Sequence, residues 1–370
     1  MAVAAELKTL SPQAKIIYIG QIGDKLTDIP KNDPNIDRCY SIYAGKFRRY
    51  SGEGWKQFID YRIQYLNIRD LIRTVRGLWQ SWRLLGKIRP DAIFTRGASV
   101  SVPVALAAWL RGIPYITHDS DSTPGLTNRL IGRWARLNMV AMDPEVYPYD
   151  KEKTVRVGVP ISQQYKPLTQ KEVEQIRAEL GLGEYKQVIC VTGGGNGAQT
   201  LNQIVLDNAV FLLKRFPHLA IIHIAGRGFS QEVESEYREI LDDKDIKRVK
   251  VKDFVSDLYR YSAVADLVIA RGGATNLAEF ASQNKACIII PSKQLIWNIK
   301  NSELLAAEKA IIELSEEQAE QELRLASVVE DLLTSKSKLQ ELQKKFAQFS
   351  NISSAKNIAE IVLKIAEKQG

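Results

Sequence analysis

This chain is poor in the residues from which disulfide-linked, metal-binding and membrane-spanning proteins are built. Its 370 residues include three cysteines, Cys39, Cys190 and Cys287, whose spacing resembles no metal site. Cys190 and Cys287 fall inside apolar runs, which fits buried free thiols in a reducing cytoplasm. There are only three histidines, and His223 reads as a packed residue within a strand. No metal-ligand set is expected. No run approaches the ~20 apolar residues of a membrane-spanning helix. There is no GxGxxG fingerprint, and no Walker lysine follows the glycines, so a dinucleotide site or P-loop is unsupported.

What the chain does have is a regular alternation of short apolar runs and amphipathic stretches. With 45% apolar residues there is ample core for one or two α/β domains with mainly parallel sheets. Strands are expected at 14–19, 92–95, 115–118, 138–142, 187–192, 219–225, 248–251, 267–270 and 286–290. Helices are expected at 102–111, 199–213, 303–309, 316–334, 336–349 and 354–367. Gly158 and Pro160 mark a linker over 155–160. Three segments follow: 1–157 and 158–350 as two Rossmann-like halves facing a cleft, and 351–370 as a helix returning to the first half.

The net charge of +8 is local. Residues 46–90 carry eleven Lys/Arg against Glu53, Asp60 and Asp70, a surplus equal to that of the whole chain. Eight aromatics, Trp55, Trp79 and Trp82 among them, lie in the same stretch on a helical pattern. Three readings compete: a solvated amphipathic helix, a surface for anionic lipid headgroups, and a nucleic-acid surface. No nucleic-acid motif accompanies the charge.

Two glycine turns carry the chemistry. After the apolar run Leu267 to Ala270 come Gly272-Gly273 and a helix start at Thr275 to Phe280. Unpaired N–H groups at such a helix end attract phosphate. Glu279, about one turn in, can accept both hydroxyls of a ribose. The second turn, Gly193-Gly194-Gly195-Asn196-Gly197-Ala198, follows the strand ending at Thr192. Consecutive glycines belong where φ is positive or backbone must approach a ligand. Two such turns at one sheet edge suit a nucleoside diphosphate.

Read in order, the motifs resemble the peptidoglycan N-acetylglucosaminyltransferase (MurG) family, B-type two-domain glycosyltransferases, over essentially the whole chain. Gly97-Ala-Ser-Val-Ser-Val-Pro103 resembles its GGxVSxP turn. His118-Asp-Ser-Asp121 followed by Thr123-Pro-Gly-Leu-Thr-Asn128-Arg129 resembles its HE(S/Q)(D/N)xxPGLxNR loop. Gly193 to Ala198 with Leu201-Asn202 resembles GGSQGAxxLN, and Arg271 to Glu279 resembles RxGAxTxxE. Asn298 and Asn301 stand where QxxN is usual.

The resemblance implies inverting transfer of GlcNAc from UDP-GlcNAc to the 4-hydroxyl of undecaprenyl-diphosphate-linked MurNAc-(pentapeptide). It implies work at the cytoplasmic membrane face, without a tightly held metal or cofactor, and favours the lipid reading of residues 46–90 over nucleic acid. Ala274, Thr275, Asn276, Leu277, Ala278 and Glu279 would hold the UDP, with Val255 on the uracil. Asn298 would reach the GlcNAc hydroxyls, Asn301 would also belong to the donor site, and Gly194, Gly195, Asn196, Gly197 and Ala198 would line the donor and diphosphate side. Ser99, Ser101, Asp121 and Asn128 would form the acceptor wall. Asp119 is the candidate base, with His118 beside it. The alternatives are a UDP-sugar transferase with another lipid acceptor, and a donor-binding subunit inactive alone.

Some features differ from the family. Ser162 stands for its Arg, Gly195 for its Ser, Asn298 for a Gln and Asp119 for a Glu. Met1 to Lys8 resembles the helix that follows the family's first strand and GGTGGHxxPA loop. The first half is therefore expected to lack that strand, leaving two neighbouring strands with unpaired edges, and an upstream segment is expected to encode it.

Overall fold

A computed structural model describes residues 1–24, 28–45, 61–195 and 197–368, with backbone alone at 61–64. The chain forms two compact parallel α/β units, Met1–Pro160 with Ser353–Gly370, and Ile161–Ile352. The expected class, two Rossmann-like halves, is the one found.

The first unit runs α1 Ala2–Leu10, β1 Ile17–Gln21, α2 Asp28–Lys31, β2 Arg38–Ile42, α3 Tyr61–Ile88, β3 Ile93–Thr95, α4 Ser101–Leu110, β4 Tyr115–Asp119, α5 Leu126–Ile131, β5 Leu137–Val140 and β6 Thr154–Arg156. Strands β3 to β6 form one parallel sheet in sequence order, while among the described residues β1 and β2 pair only with each other. The sheet is thus in two pieces, and β1 and β3 each have one strand partner among the described residues. A shared helical layer holds both pieces. Leu85 of α3, Ala105 and Ala108 of α4, Tyr115 and Ile131 form a buried cluster against which Ile19 of β1 and Ile93 of β3 both pack. A side chain at Gly77 would collide with the Tyr43 carbonyl, so the long helix needs glycine there to lie on the end of β2.

The second unit runs α6 Gln170–Glu179, β7 Gln187–Thr192, α7 Gln199–Arg215, β8 Leu219–Ile224, α8 Ser230–Ile240, β9 Val249–Lys252, α9 Leu258–Val264, β10 Leu267–Ala270, α10 Ala274–Ser282, β11 Ala286–Ile289, α11 Ile296–Ala307, β12 Ile312–Glu313, α12 Glu316–Ala319, α13 Arg324–Thr334 and α14 Lys336–Ala347. Its six parallel strands are ordered β12-β11-β10-β7-β8-β9. Successive strands add to one side of β7 and then to the other, so the order reverses between β7 and β10. Thr192 is level with Ala270 of β10 and with Ile224 of β8. The turns after β7, β8 and β10 therefore leave one sheet edge side by side, at the switch point where ligands bind in such sheets.

The last helix, α15 Ser354–Ala366, belongs to the first unit, where Ile358, Ala359 and Val362 share a core with Val3, Ile116 and Met139. Among the described residues no helix is long and apolar enough to cross a membrane.

Several boundaries differ from expectation. Strand β2 carries exposed Arg38 and Ser41 and so shows no apolar run. Strand β6 lies in the expected linker, with Val155 and Arg156 exposed. The single helix expected over 316–334 is two. A capping box between Ser315 and Gln318 starts α12, and Leu323 with φ 55° re-aims the chain into α13. There Ala326 N–H donates to Asn208 Oδ1 of α7 at 2.9 Å.

Candidate functional site

The glycine turn after β7 is built by left-handed backbone and close contact. Gly194 and Gly197 have φ of 86° and 75°, which an L side chain adopts only at a cost. Gly194 N–H donates to Thr192 Oγ1 at 3.2 Å, and Gly197 N–H to the Gly194 carbonyl at 3.0 Å. A side chain at Gly197 would meet the Ala225 carbonyl, so this turn lies against the turn after β8. Ala198 begins α7 without a side-chain cap, leaving donors open at the positive end of the helix. Asn196 lies outside the described residues.

The turn after β10 is braced from behind. A side chain at Gly272 would run into the Asn298 carbonyl, which brings the start of α11 hard against the turn. Asn301 is fully buried, and its Nδ2 donates to the Gly272 carbonyl at 3.1 Å. Burial and this bond make it a support of the turn. Asn298 is also buried, 5% exposed. Arg271 Nη1 pairs with Glu316 at 2.7 Å and donates to the Ile290 carbonyl at 2.9 Å, pinning the turn to α12 and the end of β11.

Gly273 caps α10 without a side-chain bond, so the N–H groups of Ala274, Thr275 and Asn276 face the open end. Glu279 is half-buried one turn further on. The Tyr165 hydroxyl donates to its carboxylate, and burial together with that negative charge raises the phenol above its ordinary range. Tyr165 itself is 8% exposed and meets Tyr259 edge-on. Sequence reading missed it, because an aromatic in a polar connection carries no pattern.

Beside these turns, Phe254 is 39% exposed and precedes half-buried Val255. His223 is a packed residue as expected. Its two ring nitrogens meet the Tyr237 hydroxyl at 2.9 Å and Asn202 Oδ1 at 3.1 Å. Asn202 Nδ2 in turn donates to the Ala225 carbonyl at 3.2 Å, which ties α7 to the end of β8. Cys190 and Cys287 are buried and free, and burial pushes the Cys190 thiol up to about 12.

In the first unit, the motif residues gather around the ends of β3 and β4. Gly97 has φ 81°, and a side chain there would collide with Asn128. Asn128 Nδ2 donates to the His118 carbonyl at 2.9 Å. Ser99 Oγ donates to Gln21 Oε1 at 2.7 Å, and buried Ser101 accepts from Thr95 Oγ1. Asp121 is half-buried, and its carbonyl accepts from the Tyr147 hydroxyl at 2.9 Å.

The two expected catalytic residues are both buried and hydrogen-bonded. Asp119 is 6% exposed; Oδ2 accepts from Tyr149 at 2.6 Å and Oδ1 from Gly125 N–H at 3.3 Å. Burial raises its pKa, against those hydrogen bonds. His118 is 1% exposed with Nε2 on the Gly158 carbonyl at 2.9 Å, and burial lowers its pKa to about 3. These contacts tie both side chains to the chain around the loop 120–128 and to the Gly158 carbonyl.

Among the described residues no cluster of three His, Cys, Asp or Glu side chains is placed to hold a metal ion. Helix α3 presents a continuous exposed stripe of Tyr65, Ile68, Ile72, Val75 and Trp79, with Trp82 40% exposed at its end. Arginines flank it: Arg83 lies 4.7 Å over Trp79, and Arg111 of the α4–β4 turn 4.0 Å over Trp82. Exposed Trp109 and Trp134 pair nearby at 5.4 Å. Of the basic segment 46–90, residues 46–60, Trp55 included, lie outside the described residues.

Known proteins match this chain across both units. The N-terminal domain of glycosyltransferase family 28 matches residues 1–139 and its C-terminal domain residues 188–361. The UDP-N-acetylglucosamine–N-acetylmuramyl-(pentapeptide) pyrophosphoryl-undecaprenol N-acetylglucosamine transferase of Bacteroides fragilis is 29% identical, over 100% of this chain and 92% of its own length. A Bacillus anthracis protein of the same name, numbered 2, is 31% identical over 75% of this chain and 70% of its own. The crystal structure of Acinetobacter baumannii MurG aligns with a TM-score of 0.67 at 21% identity, over 98% of this chain and 94% of that one.

Proposed function

This chain belongs to the MurG family of glycosyltransferases, and from that premise we propose that it transfers GlcNAc from UDP-GlcNAc to lipid-linked MurNAc-(pentapeptide). The observation that carries the reading is the switch point of the second unit. Two uncapped helix starts and two glycine turns lie on neighbouring strands, with a carboxylate one turn into α10. That set matches a nucleoside diphosphate: N–H donors and helix dipoles for the phosphates, and Glu279 for the ribose hydroxyls. The reading assigns Asn298 to the sugar side and Val255 to the uracil.

In this mechanism the second unit stabilises the departing UDP. Preorganised N–H donors oppose the charge that grows on the diphosphate as the glycosidic bond breaks, which costs no reorganisation at that moment. No metal is given a role, so EDTA should leave the rate unchanged. The first unit supplies the acceptor wall, with Ser99, Asp121 and Asn128 at the ends of β3 and β4. His118 and Asp119 hold that wall in shape.

The α3 stripe is proposed to rest on an anionic membrane surface at the cytoplasmic face, rings inserted and guanidinium groups among the headgroups. Burial of apolar area and attraction to negative lipid act together there. Vesicles of phosphatidylglycerol should bind the protein and neutral phosphatidylcholine vesicles should not; equal binding would refute this part.

The deciding experiment is turnover with labelled UDP-GlcNAc and undecaprenyl-diphosphate-linked MurNAc-pentapeptide, compared with UDP-glucose and diacylglycerol. A labelled disaccharide lipid with inverted anomeric configuration supports the reading. Transfer only to diacylglycerol would replace it with the other lipid-glycosyltransferase reading.

A further inference from the structure

We propose that Arg227, in the turn after β8, is the cation that meets the donor's diphosphate. The inference rests on the nucleotide site described above and adds to it a residue that the motifs do not contain. Arg227 stands between Gly226 and Gly228, whose φ values of 95° and 82° hold the turn in a left-handed form. Its N–H points to the Gly195 carbonyl at 3.5 Å, so its backbone lies beside the glycine turn after β7.

The side chain is placed as well as the backbone. The guanidinium carbon lies 3.9 Å from the centre of the Phe254 ring. That ring is itself against the glycine turn, 3.3 Å from where a side-chain carbon on Gly195 would sit. Stacking on an aromatic face occupies the plane of a guanidinium and leaves its N–H edge for a bidentate contact with phosphate. Among the described residues no carboxylate lies within ion-pairing distance of Arg227. The acidic neighbour Asp253 is engaged with backbone instead, accepting from Gly228 N–H at 2.7 Å and from Ser230 and Phe254 N–H. A half-buried cation without a counter-charge, next to an uncapped helix start, is arranged for an anion.

The test uses the full chain with Arg227→Ala, Arg227→Gln and Arg227→Lys, each checked by melting temperature. Affinities for UDP, UMP and uridine are measured by calorimetry, and KM and kcat with UDP-GlcNAc. Loss of one charge-assisted phosphate contact should weaken UDP by about tenfold or more in the Ala and Gln variants. Uridine should be unchanged and UMP intermediate, and Lys should recover part of the loss. Gln keeps the stacked planar group, so it answers the question even if Ala melts early. Equal weakening of UDP and uridine would overturn the proposal, because Arg227 would then only support Phe254. So would UDP affinity unchanged in all three variants. A wild-type protein that binds no UDP would instead overturn the nucleotide site, and this inference with it.

Discussion

Replacing Glu279 with Ala gives the sharpest view of the donor site. The carboxylate is half-buried one turn into α10, and one partner, the Tyr165 hydroxyl, already holds it. That bond fixes the direction in which its remaining lone pairs point. A hydrogen bond to a charged group contributes about 1.5–3 kcal/mol. Two ribose hydroxyls on one half-exposed carboxylate, taken at the lower end, come to about 3 kcal/mol. At 1.4 kcal/mol per factor of ten, KM for UDP-GlcNAc should rise by about 100-fold. Glu279→Gln keeps one acceptor oxygen and should lose about tenfold. The control is ribose dependence: wild type should favour UDP over 2′-deoxy-UDP, and Glu279→Ala should lose that preference. Stability must be followed separately, since the buried Tyr165 hydroxyl loses its acceptor, at a cost of about 1–3 kcal/mol. If Glu279→Ala keeps the wild-type preference for ribose, Glu279 is not on the ribose.

Other substitutions separate support from contact. Tyr165→Phe removes a positioning bond only, so KM should rise several-fold with kcat unchanged, and its effect should vanish in the Glu279→Ala background; additive losses would refute the coupling. Gly272→Ala would press into the Asn298 carbonyl and should melt earlier by a shift equivalent to about 1–3 kcal/mol, with donor KM raised. His118 and His223 are both held neutral by burial, with pKa near about 3. Their folded pKa lies below the unfolded value, so the unfolded chain takes up the protons first as pH falls. Stability is then full above about pH 6.5 and falls by up to about 1.4 kcal/mol per pH unit per histidine below it. His223→Asn should flatten that slope in urea titrations, and an unchanged slope would refute the assignment.

Much of the second unit was legible in the sequence because its chemistry is local. Strands β7, β8, β10 and β11 are buried from both sides, so they read as continuous apolar runs, and the glycines that follow β7 and β10 mark their turns. Support from a distance was not legible. Tyr165 reaches Glu279 and Glu316 reaches Arg271 across more than a hundred and about forty residues of chain respectively, and nothing in local spacing announces either pair. The support given by Asn301 was hidden for a related reason. An Asn near a sugar-binding motif looks like a ligand, but only the approach of α11 to Gly272 reveals its work on the backbone. The bonds from Tyr149 and Gly125 to Asp119 were equally invisible in the spacing of its motif.

The broken sheet of the first unit leads to a prediction about where that unit opens. Among the described residues, strands β1 and β2 have only each other as strand partners, and a two-stranded ribbon alone is marginal in water. Its described attachments to the rest of the unit are side-on rather than through a strand: Ile19 against the α3–α4 layer, the 2.7 Å bond from Ser99 to Gln21, and, just past β2, the Tyr43 and Gly45 N–H groups donating to Gln80 and Thr74 of α3 at 2.9 and 3.2 Å. The link from Lys8 to Asp37 at 2.9 Å is partly exposed and adds little. By contrast, β4 is buried throughout and flanked by β3 and β5. Amides of 17–21 and 38–42 should therefore exchange with deuterium well before those of 115–119, through local rather than global opening. Ser99→Ala should speed the first set and leave the second alone. Because Ser99 is also proposed for the acceptor wall, the lipid-linked acceptor should slow exchange in β1 while UDP should not. Exchange in β1 as slow as in β4 would show that the helical layer, not strand pairing, carries the stability of this unit.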